Sequence, residues 1–213
     1  MGLLYNVVMV DIDTLKDKCI DFEKQEGRAS FYDIASSIVE KYPLQACVII
    51  LATWNVSRFR FIVSDSKNLE DLMKAMEECK PLFDRLKNER FETTDFSKTG
   101  ETIKAIYSIL SKVKGVEYTG GSKVMHLLNN RLFVMWDKYI RDEYEICGTD
   151  AEGYLCFLIK MQDKFKGIDW RENNKTIAKA IDEYNYVMYS LPAVRVMKQR
   201  QKEKRAQGEA NAD

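Results

Sequence analysis

The sequence predicts an all-α fold, a compact array of about ten helices forming one domain over residues 1–192. Three observations carry that expectation. Apolar residues recur at the three- and four-residue spacing of helix faces, not at the two-residue spacing of strands. Only three prolines interrupt 213 residues, so long helices are permitted. Hydrophobic residues make up 46% of the chain, enough to bury a sizeable core.

Taken in order, the first ten residues read as a short strand or an irregular arm. Asp13 is placed as the N-cap of a helix reaching about Gly27, with Leu15, Cys19 and Phe22 on its apolar face. Ser30 caps a second helix with Phe31, Ile34, Ala35, Ile38 and Val39 inward, ending before Pro43. Residues 44–54 are apolar nearly all round, as a central helix would be, and 56–63 fit helix or strand. Residues 66–86 read as one helix, or as two broken at Pro81, with Leu69, Leu72, Met73 and Met76 in a stripe. Residues 95–112 give another helix, with Ile103, Ile106, Tyr107 and Leu110 inward.

A loop at 113–121 then leads to a short helix at 122–128 and a turn at Asn129, Asn130 and Arg131. Asp137 and Asp150 stand where N-caps belong, before helices at 138–146 and 151–165. Asn173 or Asn174 opens the last long helix, to about Ser190. Beyond Pro192 a basic tail over 193–213 carries Arg195, Lys198, Arg200, Lys202, Lys204 and Arg205. That tail is either a source of phosphate contacts or a solvated terminus. Residues 95–170 form a candidate central unit that both chain ends could close over.

Lys plus Arg and Asp plus Glu each number 33. The formal charge is zero, so an anion-binding surface has to be local. The cysteines, Cys19, Cys47, Cys79, Cys147 and Cys156, are scattered and His126 is the sole histidine. That pattern argues against zinc and against an iron–sulfur cluster, and reads as reduced thiols in a helical core. No metal or cofactor is expected. The apolar start lacks a basic leader and meets Asp11 and Asp13 at once, and the longest apolar run, 46–54, is too short for a bilayer. The expectation is a cytoplasmic protein without a membrane partner. P-loop, dinucleotide, serine-elbow, paired-histidine and di-iron patterns are absent.

One stretch suggests chemistry. Residues 113–128 join two helices through a run containing Lys114, Gly115, Thr119, Gly120, Gly121 and Ser122, followed by Lys123. A Gly-rich turn before a helix exposes backbone N–H groups that suit a phosphate. Asp137 follows Lys123 by fourteen residues, within Phe133-Val-Met-Trp-Asp-Lys-Tyr-Ile-Arg.

Over about residues 103–146 this pattern resembles the helix-hairpin-helix DNA glycosylase superfamily. Gly120-Gly121-Ser122-Lys123-Val124 is similar to that family's Gly-x-Lys-Val turn, and Asp137 stands where its catalytic Asp does. The iron–sulfur ligands of part of the family are missing. The resemblance implies a glycosylase-like helical fold and a DNA-repair activity, with DNA as partner. A flipped nucleotide would meet Lys123 as the nucleophile at sugar C1′ and Asp137 as the carboxylate that stabilises positive charge. The turn from Lys114 to Gly121, with Ser122, would hold DNA phosphate. Trp54, Trp136 and His126 would line the pocket.

Each residue has a second reading that the sequence leaves open. Asp137 also fits a plain N-cap, Lys123 a surface charge, and Gly120-Gly121 an ordinary turn. Trp54 and Trp136 also fit the core, and His126 a hydrogen-bonded structural role. The alternative function is a non-catalytic helical protein that binds nucleic acid or a protein.

Overall fold

A computed structural model describes residues 9–172 and 174–210 of the chain, without the side chains of 198, 202 and 204–210. The described residues hold eleven α-helices and no strand: α1 (Ile12–Gln25), α2 (Ala29–Ile38), α3 (Pro43–Trp54), α4 (Val56–Ser64), α5 (Ser66–Leu86), α6 (Phe96–Ser111), α7 (Glu117–Leu128), α8 (Lys138–Glu143), α9 (Ala151–Lys164), α10 (Ile177–Asn185) and α11 (Leu191–Ala210). None is long and apolar enough to cross a membrane.

Short polar side chains start six of these helices. Asp11, Asp65, Asp95, Asp137, Asp150 and Thr176 each accept from a backbone N–H two or three residues on, worth about 1 kcal/mol apiece. Asp137 and Asp150 cap as their positions predict. Asp13 does not: α1 begins two residues earlier, because Asp11 reaches the Thr14 N–H at 2.7 Å. Ser30 is likewise inside α2, whose N-cap is Arg28. Pro81 sits within α5 without ending it, and 56–63 resolve to helix.

The largest departure lies at 113–121. The turn after α6 closes at Gly115, whose φ of +94° favours glycine, and α7 starts at Glu117. Gly120 and Gly121 are therefore helical. A Cβ on Gly120 would stand 2.7 Å from Asn55 Nδ2 and 3.0 Å from a Leu51 methyl, while Gly121 faces the Ser111 backbone at 3.6 Å. Gly120 lets α7 pack closely on α3, a use that a turn-based reading of Gly-Gly overlooks, while a Cβ on Gly121 would make only ordinary contact with α6.

One continuous core draws on residues from Val10 to Tyr184. In it α6 packs on α5, α7 and α9, α3 on α2 and α7, and α1 on α10. Residues 132–136 run through the core without regular structure, all buried. Their polar groups are met by side chains: His126 at the Phe133 carbonyl, Tyr154 OH at the Val134 carbonyl, and Ser122 Oγ at the Trp136 N–H. The helix expected to open at Asn173 or Asn174 is α10, which begins at Ile177 with Thr176 as its cap. Asn173, the expected arm at residues 1–8 and the basic side chains of Lys198, Lys202, Lys204 and Arg205 lie outside the described residues. After Asn185 the chain widens into a single π turn, Tyr186–Ser190, before α11.

Candidate active site

Lys123 lies in the second turn of α7, 9% exposed, and its Nζ donates to the Trp54 carbonyl at the end of α3. Asp137 ends the buried segment 132–136 and caps α8. Its Oδ1 accepts from the Ile140 N–H at 3.0 Å and its Oδ2 from the Ser190 hydroxyl at 2.7 Å. Lys123 and Asp137 line one cavity of about 250 Å³, whose wall also includes Trp54, Trp136, Glu26, Arg28, Asp182 and Tyr186. An open groove of about 660 Å³ shares Lys123, Asp137, Trp54 and Arg28 with it and continues past Arg58, Thr119 and Lys138.

The cavity is strongly polarised. Burial pushes the Lys123 amine down to about 8, although the carboxylates of Asp137 and Asp182 pull the other way. The amine is thus closer to its nucleophilic, neutral form than a solvent-exposed lysine. Burial alone would raise the Glu26 carboxyl. Hydrogen bonds from Arg28 (2.6 Å) and the Tyr186 hydroxyl (2.5 Å) outweigh it and hold the group below its ordinary range. Burial, and then Glu26, push the Tyr186 phenol up to about 12.

Of the other residues singled out by sequence, Trp54 and Trp136 both border the cavity. Trp136 is also a core residue, 1% exposed and packed edge-on against Tyr107 and Tyr154. Trp54 stacks on Tyr32, ring centroids 5.8 Å apart. His126 lines neither space. It is fully buried, with Nε2 2.8 Å from the Tyr32 hydroxyl and Nδ1 2.6 Å from the Phe133 carbonyl. Burial pushes it down to about 4, so it is a neutral structural imidazole.

The expected phosphate cradle needs correction. Gly120 donates its N–H to the Val116 carbonyl, and Gly121 and Ser122 are buried in the same helix. Ser122 Oγ is occupied by the Thr119 carbonyl and the Trp136 backbone. These three positions present no free turn to an anion. Gly115 does form the turn, but it is buried, and its carbonyl accepts from Asn55. Lys114 is exposed beside Phe61, away from the cavity, and only Thr119 of this group borders the groove.

Glu26, Arg28, Asp182 and Tyr186 were not singled out by sequence. Only Asp182 left a signal there. With Lys179 and Glu183 it places charges at three- and four-residue spacing in a helix whose every residue is buried. No group of three or more metal-ligating side chains occurs among the described residues. The five cysteines are unpaired. No protein-family model, curated protein or solved structure matches the chain.

Proposed function

We propose that this chain is a DNA-repair protein of the glycosylase and abasic-site-lyase type, acting on a flipped nucleotide through Lys123 and Asp137. The observation that carries the reading is the meeting of that amine and that carboxylate, fourteen residues apart in the chain, at one cavity walled by Trp54 and Trp136. A cavity of 250 Å³ has room for one unstacked ring, since roughly 150 Å³ accommodates benzene. The open groove gives a nucleic-acid strand a way in, and Lys138 on its wall supplies a cation for phosphate, while Arg28 and Arg58 are paired with Glu26 and Glu117 and would exchange those carboxylates for phosphate.

In this mechanism the neutral Lys123 amine uses its lone pair to form a bond to C1′. The glycosidic C1′–N bond breaks, its electron pair leaves with the base, and the base takes up a proton. Loss of a proton from the attached nitrogen and opening of C1′–O4′, whose oxygen is protonated, give a Schiff base. Asp137, fixed by Ile140 and Ser190, faces the positive charge that builds on the sugar.

Borohydride trapping on duplexes carrying oxidised, deaminated or abasic sites tests the reading. A covalent adduct is expected that disappears in Lys123→Ala and survives in Lys112→Ala, because Lys112 is an exposed residue outside the cavity. No adduct and no base release across the panel ends it.

A second reading draws on the same contacts. Lys123 is satisfied by a helix-end carbonyl, and both oxygens of Asp137 are occupied, as purely structural groups would be. Salt-dependent DNA binding without adduct would select a non-catalytic binding protein.

A further inference from the structure

Charge inside α10 calls for an account. Every residue of that helix is buried, and a buried ion costs several kcal/mol unless it is paired. Lys179 meets Asp182 at 3.0 Å and Glu183 at 3.5 Å. Its ammonium also lies over three rings, Phe22 at 4.7 Å, Tyr32 at 4.5 Å and Trp54 at 5.1 Å. The lysine is thereby fixed, and it fixes Asp182 in turn.

Lys179 occupies only Oδ2 of Asp182. The other oxygen has no hydrogen-bond partner among the described residues, and Asp182 lines the same cavity as Lys123. Asp137 differs on this point, because one of its oxygens caps α8 and the other holds Ser190. Asp137 can take a proton on Oδ2 only if the Ser190 hydroxyl turns away or reverses its bond. The free oxygen of Asp182 can take one with the Lys179 hydrogen bond kept on Oδ2, Glu183 then balancing the Lys179 charge. The remaining ionisable groups facing the cavity are Glu26, Arg28 and Tyr186, and Glu26 is taken up by the other two.

We infer that Asp182, not Asp137, receives the proton that Lys123 must lose to become a nucleophile, so that the two carboxylates divide the work. The inference rests on the Lys123 reading above. Neither carboxylate forms an ion pair with Nζ while it bonds to the Trp54 carbonyl. The proton therefore passes to Asp182 after the side chain turns, or across one water. Nζ gives one proton to Asp182 and forms its bond to C1′. The glycosidic electron pair leaves with the base, and Asp182 returns the proton to that base.

The test is single-turnover hydride trapping on an abasic-site or damaged-base duplex from pH 6 to pH 10, for wild type, Asp137→Asn and Asp182→Asn. Asp182→Asn is expected to lose at least about tenfold in trapping rate at pH 7 and to recover above about pH 9, where the amine deprotonates unaided. The contrary result has the opposite sign. If Asp182 acts only as a nearby negative charge, removing it lowers the affinity of Lys123 for its proton, and the variant traps as well as or better than wild type at pH 6–7. That outcome overturns the assignment. Should Asp182→Asn lose its fold, the double variant Lys179→Met/Asp182→Asn leaves no unpaired buried charge and carries the same comparison. Wild type that traps nothing overturns the Lys123 reading itself. Wild type that traps, with an acid-shifted Asp182→Asn, removes only the role of Asp182.

Discussion

The amine of Lys123 ends on the backbone carbonyl of Trp54, so the group that α7 brings to the cavity also closes the last turn of α3. Helix ends leave carbonyls without partners, and a lysine there is favoured by the helix dipole. Burial opposes that charge and dominates, holding the amine near 8.

A stability signature follows. The folded chain holds the Lys123 proton less tightly than the unfolded chain, whose lysine titrates near 10.5. Between about pH 8 and 10.5 the unfolded state therefore binds more protons, and folding stability from this group rises with pH. Urea unfolding of wild type and Lys123→Met should show the wild type gaining about 3 kcal/mol on the variant across that window. A difference that stays constant with pH would mean that the amine is not buried in solution.

His126 gives the mirror case at acid pH. It is held near 4 by burial between Tyr32 and Phe133, against 6.5 when exposed. Its contribution is present above about pH 6.5 and is lost as pH falls toward 4, because the unfolded state takes up the proton first. As the sole histidine, its ring resonance is unambiguous by NMR, and it should not titrate between pH 8 and 5. Relative to His126→Asn, the wild type should lose about 3 kcal/mol between pH 6.5 and 4. A ring that titrates near 6.5 contradicts the buried placement.

The two adjacent glycines of α7 should respond differently to alanine. Gly120→Ala drives a methyl to within 2.7 Å of Asn55 and 3.0 Å of Leu51, so the Asn55 amide must leave its bonds to the Gly115 and Val116 carbonyls or α7 must shift, at about 1–3 kcal/mol. Gly121→Ala meets nothing closer than 3.6 Å and should be neutral or stabilising by up to about 1 kcal/mol from helix propensity. Thermal or urea unfolding checks both. Weaker DNA binding in both variants, with stability unchanged in both, would restore the phosphate-cradle role.

These glycines also mark where sequence reasoning reaches its limit. The helices at 44–54, 95–112 and 151–165 were legible because their apolar spacing and their Pro or Asp boundaries agree. Asp137 was legible as a cap for the same local reason. Gly120 was misplaced because the need for a bare backbone there arises from Leu51 and Asn55, distant in sequence, and Gly121 because its place in a helix depends on where α7 starts. The meeting of Lys123 with Asp137 was expected only through resemblance. Glu26, Arg28 and Tyr186 join the site by tertiary packing of α10, the π turn and the α1–α2 connection, which no local pattern encodes.

Arg58 and Lys138 border the groove outside the cavity. If they contact phosphate, Arg58→Ala and Lys138→Ala should each weaken duplex binding about equally for all sequences. Lys138→Ala should also lower the slope of log affinity against log salt by about one, and Arg58→Ala by less, because Arg58 is paired with Glu117 at 2.9 Å. Fluorescence anisotropy at several salt concentrations measures both effects. An unchanged slope in both variants would place the strand elsewhere on the surface.

The central claim is that Lys123 forms the covalent bond. Its most direct test is to reduce the complex with an abasic-site duplex, digest it, and locate the deoxyribose remnant by mass spectrometry. The expected result is a single modified peptide carrying the remnant on Lys123, absent from Lys123→Ala. A remnant on Lys179, Lys138 or Lys114, or a wild-type protein with none, would contradict the account.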